Sequence, residues 1–148
     1  MLQHASSLLD VGRAIDYYDR FGHAAMIATA ADLGGFSHRN LGTLTAILRQ
    51  ADPDVRLGPY ARLVHESDRP AILKAATTLA LADELHRRIP PHAPAPVSCS
   101  WRGSGFEVVT PVPGGWRPRG VADRFEEVFG KPLIVVPAEP AANPLSSA

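Results

Sequence analysis

SDRPAILKAATTLALADELHRRIPPHAPAPVSCSW, residues 67–101, carries the chain across its main change of architecture. Ser67 or Asp68 is placed to start a helix, with Pro70 tolerated in its first turn, where its missing amide hydrogen costs nothing. Ile72, Ala76 and Leu79 recur at helical spacing, Asp83 falls on the same stripe, and His86 follows three residues later. Arg87 and Arg88 suit the C-terminal end, where the helix dipole favours positive charge. Pro90–Pro91 must end the helix, because proline lacks the amide donor and restricts the residue before it. Beyond it, Val97–Trp101 reads as a strand.

The break extends to the whole composition. Three of the 14 prolines precede residue 90 and eleven fall in residues 90–148, whereas charge does not change sides. Fifteen Lys and Arg balance fifteen Asp and Glu, ten against ten before residue 90 and five against five after it. A net charge of zero provides no global field toward nucleic acid or an anionic membrane. A length of 148 residues is enough for a real core. Cys99 is the only cysteine, so neither an internal disulfide nor a one-chain thiolate cluster can form. The polar start MLQHASSLLDVGR does not read as a secretory signal, and no 18-residue apolar run is present. The expected setting is cytoplasmic, with no membrane partner.

Toward the N-terminus the spacing predicts three more helices. His4–Tyr18 carries Leu8, Leu9, Ile15 and Tyr18, with Gly12 a position where a neighbouring helix approaches closely. His23–Ala31 is alanine-rich and stops near Asp32, before Gly34–Gly35. In the third, Phe36 is a candidate staple and Ser37 the N-cap, followed by Leu41, Leu44, Ile47 and Leu48. Asp52-Pro53-Asp54 ends it, and residues 54–66 read as a loop with a short helical piece around Tyr60–Val64. Because the first helix begins almost at residue 1, a helix that would normally precede it is expected to be missing.

On the other side of the prolines, Val97–Trp101 and Phe106–Pro111 read as a hairpin joined through Arg102-Gly103-Ser104-Gly105. Val121–Phe129 fits a helix with Val121, Phe125, Val128 and Phe129 on one side, Gly130 as its stop, and Leu133–Val136 as a last strand. The expected fold is therefore mainly α, with a small C-terminal β-β-α-β appendage packed on the helices. Its parts are a helical domain over 1–91, the appendage over 92–138, and a tail over 139–148 that is disordered by composition.

Four stretches, in order, carry a resemblance. LLDVGRAIDYYDRFGHAAMI (8–27), ADLGGFSHRNLGTLTAILR (31–49), LALADELHRR (79–88) and RFEEVFGKPLIVV (124–136) resemble the C-terminal region of the exopolyphosphatase/guanosine pentaphosphate phosphatase (Ppx/GppA) family. The resemblance implies a histidine-aspartate (HD) phosphohydrolase-like helical fold. It also implies that the catalytic work of the family, done by two actin-like domains with glycine-rich phosphate loops, is not available to this chain alone. Gly34–Gly35 and Gly114–Gly115 are read as lacking the strand–loop–helix context of such a cradle.

An HD site gathers an early histidine, a His-Asp doublet and a late aspartate around a divalent ion that activates water. At the doublet this chain has Leu9-Asp10, and leucine cannot ligate. The resemblance marks Asp10, Asp83 and His23, the latter at a helix start the family shares, as a vestigial acidic or metal site. The structural alternative pairs the two aspartates with Arg13, Arg87 or Arg88 and packs His23 near Tyr17 and Tyr18. His38, His65, His86 and His92 form no metal-spaced pair, and Cys99 reads as a small buried hydrophobe in a strand. No catalytic residue and no resident metal or other cofactor is assigned. Thirteen of the fifteen basic residues are arginine, whose planar fork suits phosphate oxygens. Arg13, Arg20, Arg39, Arg87 and Arg88 are the polyanion-binding candidates, with Arg102, Arg117 and Arg119 in loops of the appendage.

The leading expectation is a non-catalytic accessory domain that docks polyphosphate, dimerises, or supports a separate actin-like catalytic chain. The alternative is a small HD-type phosphohydrolase using Mg or Mn on a nucleotide or phosphoanhydride. Nucleic acid is disfavoured by the zero net charge.

Overall fold

The computed structural model describes residues 1–31, 33–52, 54, 58–89 and 97–138. The expected stop at Asp32, the Pro90–Pro91 boundary, His92 and the tail over 139–148 lie outside the described residues. Five helices and three strands follow in the order α1 (Leu2–Ile15), α2 (Arg20–Ala30), α3 (His38–Ala51), α4 (Arg69–His86), β1 (Ser98–Arg102), β2 (Gly105–Thr110), α5 (Arg119–Phe129) and β3 (Leu133–Pro137). Short 3-10 helices at Gly58–Leu63 and Glu66–Asp68 connect α3 to α4. The fold is mainly helical, with a small C-terminal β-β-α-β region. The chain forms two compact units, Met1–Leu81 and Ala82–Ala148, so the division falls inside α4.

In the first unit α1 and α2 approach closely at Gly12. A Cβ there would stand 2.2 Å from the Arg20 carbonyl oxygen and 3.1 Å from the Ala24 Cβ. Only a residue without a side chain fits, which is the role Gly12 was expected to have. The buried side of α1 is Ala5, Leu9 and Gly12, so of the expected Leu8, Leu9, Ile15 and Tyr18, Leu9 is fully buried and Leu8 half-buried. Ile15 is 54% exposed and Tyr18, past the helix end, 89%. The small residues form the inner stripe because they admit the Ala24, Ala25 and Ala28 face of α2, which is fully buried.

In α3 the Ser37 side chain accepts a hydrogen bond from the Asn40 amide at 3.2 Å, satisfying a first-turn donor. Leu44, Ile47 and Leu48 are buried to within 2% and form the centre of the unit, whereas Leu41 is half-buried. Phe36 meets the His4 ring edge-on at 5.1 Å. The first residue of α4 is Arg69, because a 3-10 turn occupies Glu66–Asp68 and His65 Nδ1 accepts from the Ser67 amide at 3.3 Å. Ile72, Ala76, Leu79 and Asp83 are all buried, as their spacing requires.

In the second unit the strands are ordered β1-β2-β3, with β1 antiparallel and β3 parallel to β2. Side chains alternate across a strand, so Phe106, Val108 and Thr110 share one side of β2. That side faces α5, since Phe106 stacks on Phe125 at 5.3 Å. Trp101 and Phe129 complete the aromatic cluster. Gly130 ends α5 in the left-handed conformation, φ 67°, as expected of a C-terminal glycine. Cys99, expected to be buried, is exposed on β1, one of the two edge strands of this sheet. Partial burial nevertheless pushes its thiol above the ordinary range.

The packing at Gly12 generates a direct test. Gly12→Ala is expected to lower stability by about 1–3 kcal/mol through overpacking. Urea denaturation reads the change, and an unaltered midpoint would mean that the two helices separate without cost.

Candidate functional site

The residues marked by the sequence are distributed over both units. Asp10 is exposed on α1, where Arg13 reaches it at three residues' separation. Asp83, 3% exposed on the last part of α4, faces Arg87 Nε at 3.3 Å. His23 is half-buried in the first turn of α2, and its Nδ1 has no hydrogen-bond partner. Among the described residues, no three His, Cys, Asp or Glu side chains come together in a way that could hold a metal ion.

Most of the arginines are committed elsewhere. Arg20 donates to the Tyr17 carbonyl at 2.9 Å and lies over the Tyr17 and Phe21 rings. Arg39 grips both oxygens of Asp68, at 2.8 and 3.1 Å, across 29 residues of sequence. Arg87 pairs with Asp83 and Glu84, and Arg88 with Glu84 at 3.6 Å while lying over the Trp116 ring. Arg102 meets Glu107 across the hairpin at 3.5 Å. The fork that suits arginine to phosphate is here used on carboxylates of the same chain.

One of these pairs lies beside a cavity. A cavity of about 310 Å³ opens between α3 and α4, lined by Met1, Thr43, Ile47, Asp68, Ala71, Ile72 and Ala75. Its wall is almost wholly apolar, with Asp68 its single charged side chain. The Arg39 guanidinium beside Asp68, helped by His65 and Ser67, holds its carboxyl below the usual carboxylate range. Ser67 Oγ lies 2.8 Å from His65 Nδ1, which also accepts the Ser67 amide. That nitrogen is therefore an acceptor, and the imidazole caps the 3-10 turn leading into α4. No local sequence pattern joins Arg39 to Asp68. The cap, by contrast, was open to detection as a polar residue two positions ahead of Ser67.

A second group went unrecognised. Gly114–Gly115 lie between β2 and α5, so the strand–loop–helix context they were read as lacking is present. The expected helix began at Val121. The observed helix starts two residues earlier, at Arg119, and this brings Arg117 and Arg119 to its N-terminus. A closer reading of the strand and helix on either side of the two glycines would have found it.

Comparison with protein-family models, with curated proteins and with solved structures finds no match in any of the three. Among the described residues, no helix is long and apolar enough to cross a membrane.

The lowered Asp68 carboxyl has a pH consequence. A folded carboxyl held below its unfolded value of about 3.9 contributes stability above that value and loses it as pH falls through the folded one. Asp68→Asn should therefore lower the thermal midpoint near neutral pH, with the gap from wild type closing below about pH 4. A gap that persists unchanged at low pH would assign the effect to packing at the cavity wall.

Proposed function

We propose that the chain is a non-catalytic accessory domain related to the C-terminal region of the Ppx/GppA phosphatases, whose work is to hold a partner chain. On this reading the helical unit is HD-phosphohydrolase-like, with Asp10 and Asp83 at the aspartate positions turned to structural ion pairs. The observation that most supports it is the outer face of α1. Leu8, Val11 and Ile15 are spaced by three and four residues, as on one side of a coiled-coil seam, and Tyr18 continues the spacing beyond the helix. Val11 is 47% exposed and Ile15 54%, and Met26 on α2 is 52% exposed. Apolar groups grouped in this way are satisfied by a second helical surface, supplied by another copy of the chain or by an actin-like catalytic chain.

The charge pattern supports protein docking over docking of free polyphosphate. Arg13, Arg39, Arg87 and Arg88 already face carboxylates of their own chain. A polyanion would have to displace tethered acids that are present at high effective concentration.

Sedimentation of the isolated chain tests the proposal together with an activity assay. The expected result is a concentration-dependent dimer that Val11→Asp and Ile15→Asp both abolish, with no phosphate released from polyphosphate in Mg or Mn. Phosphate release that Asp10→Ala or Asp83→Ala removes would overturn the non-catalytic reading and favour the HD hydrolase.

A further inference from the structure

We infer that the free edge of β1 pairs with β1 of a second copy of this chain, the two strands running antiparallel. The contact lies in the second unit and uses nothing of the α1 face, so either reading can fail without the other. The backbone directions carry it. In an antiparallel pair, residues that exchange both hydrogen bonds with the partner strand alternate with residues whose amide and carbonyl point the other way. The Phe106 amide donates to the Pro132 carbonyl at 2.9 Å, so Phe106 directs its backbone toward β3. Its partner across the hairpin is Trp101. The amide and carbonyl of Trp101 therefore point away from β2, and by alternation those of Cys99 do the same, whereas Ser98, Ser100 and Arg102 are bound inward. Among the described residues, no strand lies on that side of β1.

An open edge of this kind is a template for another strand, and edges that stay single are blunted by lysine, proline or a bulge. β1 has none of these. Its residues Ser98-Cys99-Ser100-Trp101-Arg102 pair with β2 one for one, and the single charge stands at the end. Its side chains are uncovered as well. Trp101 is 56% exposed although it meets Phe106 at 4.7 Å and Phe129 at 6.1 Å, and Cys99 on the same face is exposed. The aromatic cluster thus ends in a half-covered ring, at the edge where a further strand would lie.

The occupant follows from what β1 offers along that edge. A two-fold axis through Ser100 overlaps the whole strand with its copy. It pairs Cys99 with Trp101 of the second copy, Ser100 with Ser100, and Ser98 with Arg102. The outward-pointing residues of each copy, Cys99 and Trp101, then face each other and exchange their free backbone hydrogen bonds. Residues directly opposite in such a pair share a face, so each exposed indole meets the cysteine side chain of the other copy. Arg102 lands on an uncharged serine, and no like charges are opposed. The strand is in this way complementary to itself. The C-terminal segment 139–148 suits the edge less well, because Pro140 and Pro144 have no amide to donate. A contact this short is weak, of the kind that joins copies already brought together by another contact.

The test uses the full isotope-labelled chain carrying Val11→Asp, so that the α1 face does not contribute. Amide resonances are followed as the chain is concentrated to about 1 mM, where weak association is read. The expected result is a concentration-dependent shift concentrated in Ser98–Arg102. Cys99→Pro should weaken the association about tenfold or more, because it removes an outward donor and leaves the bonds to β2 in place. Unaltered Phe106 and Phe125 resonances in that variant show that its sheet is intact. Cross-linking reads the register independently of the proline. In the same chain with Cys99→Ser, Ser100→Cys should oxidise to a covalent dimer at least about tenfold faster than Arg102→Cys, whose two copies would stand about 13 Å apart. Absence of any concentration-dependent shift in Ser98–Arg102 up to about 1 mM would overturn the inference. So would equal rates of cross-linking, or association undiminished by Cys99→Pro. Concentration-independent protection of the Cys99 and Trp101 amides from exchange, lost in a chain ending at Ala138, would give the edge to the C-terminal segment and overturn it as well.

Discussion

The contact at Gly12 sets the spacing of the first unit. Placing the Arg20 carbonyl and the Ala24 amide directly against the α1 backbone forces the two helices together over a face built from Ala5, Gly12, Ala24, Ala25 and Ala28. Such a face gains little from burial per residue, since the hydrophobic term scales with the apolar area removed from water. Its gain is closeness. With the alanines drawn in, Leu9 and Phe21 are buried, as are Leu44, Ile47 and Leu48 of α3, while Val11 and Ile15 of α1 are left exposed. The exposure of Val11 and Ile15, beside a half-buried Leu8, is thus a direct consequence of a glycine and alanine interior.

That consequence marks the boundary of what was legible in the sequence. A helical period shows that stripes exist, but residue size alone does not say which stripe is inside. Counting large apolar residues selects Leu8, Leu9, Ile15 and Tyr18, whereas the buried positions are Leu9 and the small Ala5 and Gly12. Where the signal is chemical and local, reading succeeded. Ser37 has a hydroxyl in reach of the Asn40 amide, and Gly130 can take a positive φ. Both act within four residues and need no knowledge of tertiary contacts. The burial of Ile72, Ala76, Leu79 and Asp83 was legible from their helical spacing, whereas the opposite side of α4, with Thr77, Leu81 and Leu85, is buried as well and was not read. Cys99 failed for the opposite reason. A strand's place at the edge of a sheet is decided by its partners, which its own residues do not encode.

The arginines divide along the same line. Arg13 with Asp10 and Arg87 with Asp83 and Glu84 sit at the three- and four-residue spacings at which helical side chains meet. These pairs were readable from spacing. Arg39 with Asp68 spans 29 residues and emerges only once α3 and the turn before α4 are together. Exposed pairs such as Arg13 with Asp10 contribute at most about 1 kcal/mol each, so their effect on stability is small, whereas the buried Asp83 needs Arg87 to offset its loss of water. Their effect on function is larger, because a guanidinium held by an internal carboxylate is a poor receptor for an external anion.

From this follows a contrast between the two units that net charge conceals. In each unit acids and bases were equal in number, which favoured a neutral surface throughout. Pairing is local, however, and Arg117 and Arg119 stand where the nearest acid along α5, Asp123, is beyond the first turn. Balance over a segment therefore leaves a positive site at one end of a helix and a run of Asp123, Glu126 and Glu127 along the rest. The helix dipole reinforces that division, since it places its own positive end with the arginines. A neutral composition is in this way compatible with an uneven charge along a single helix.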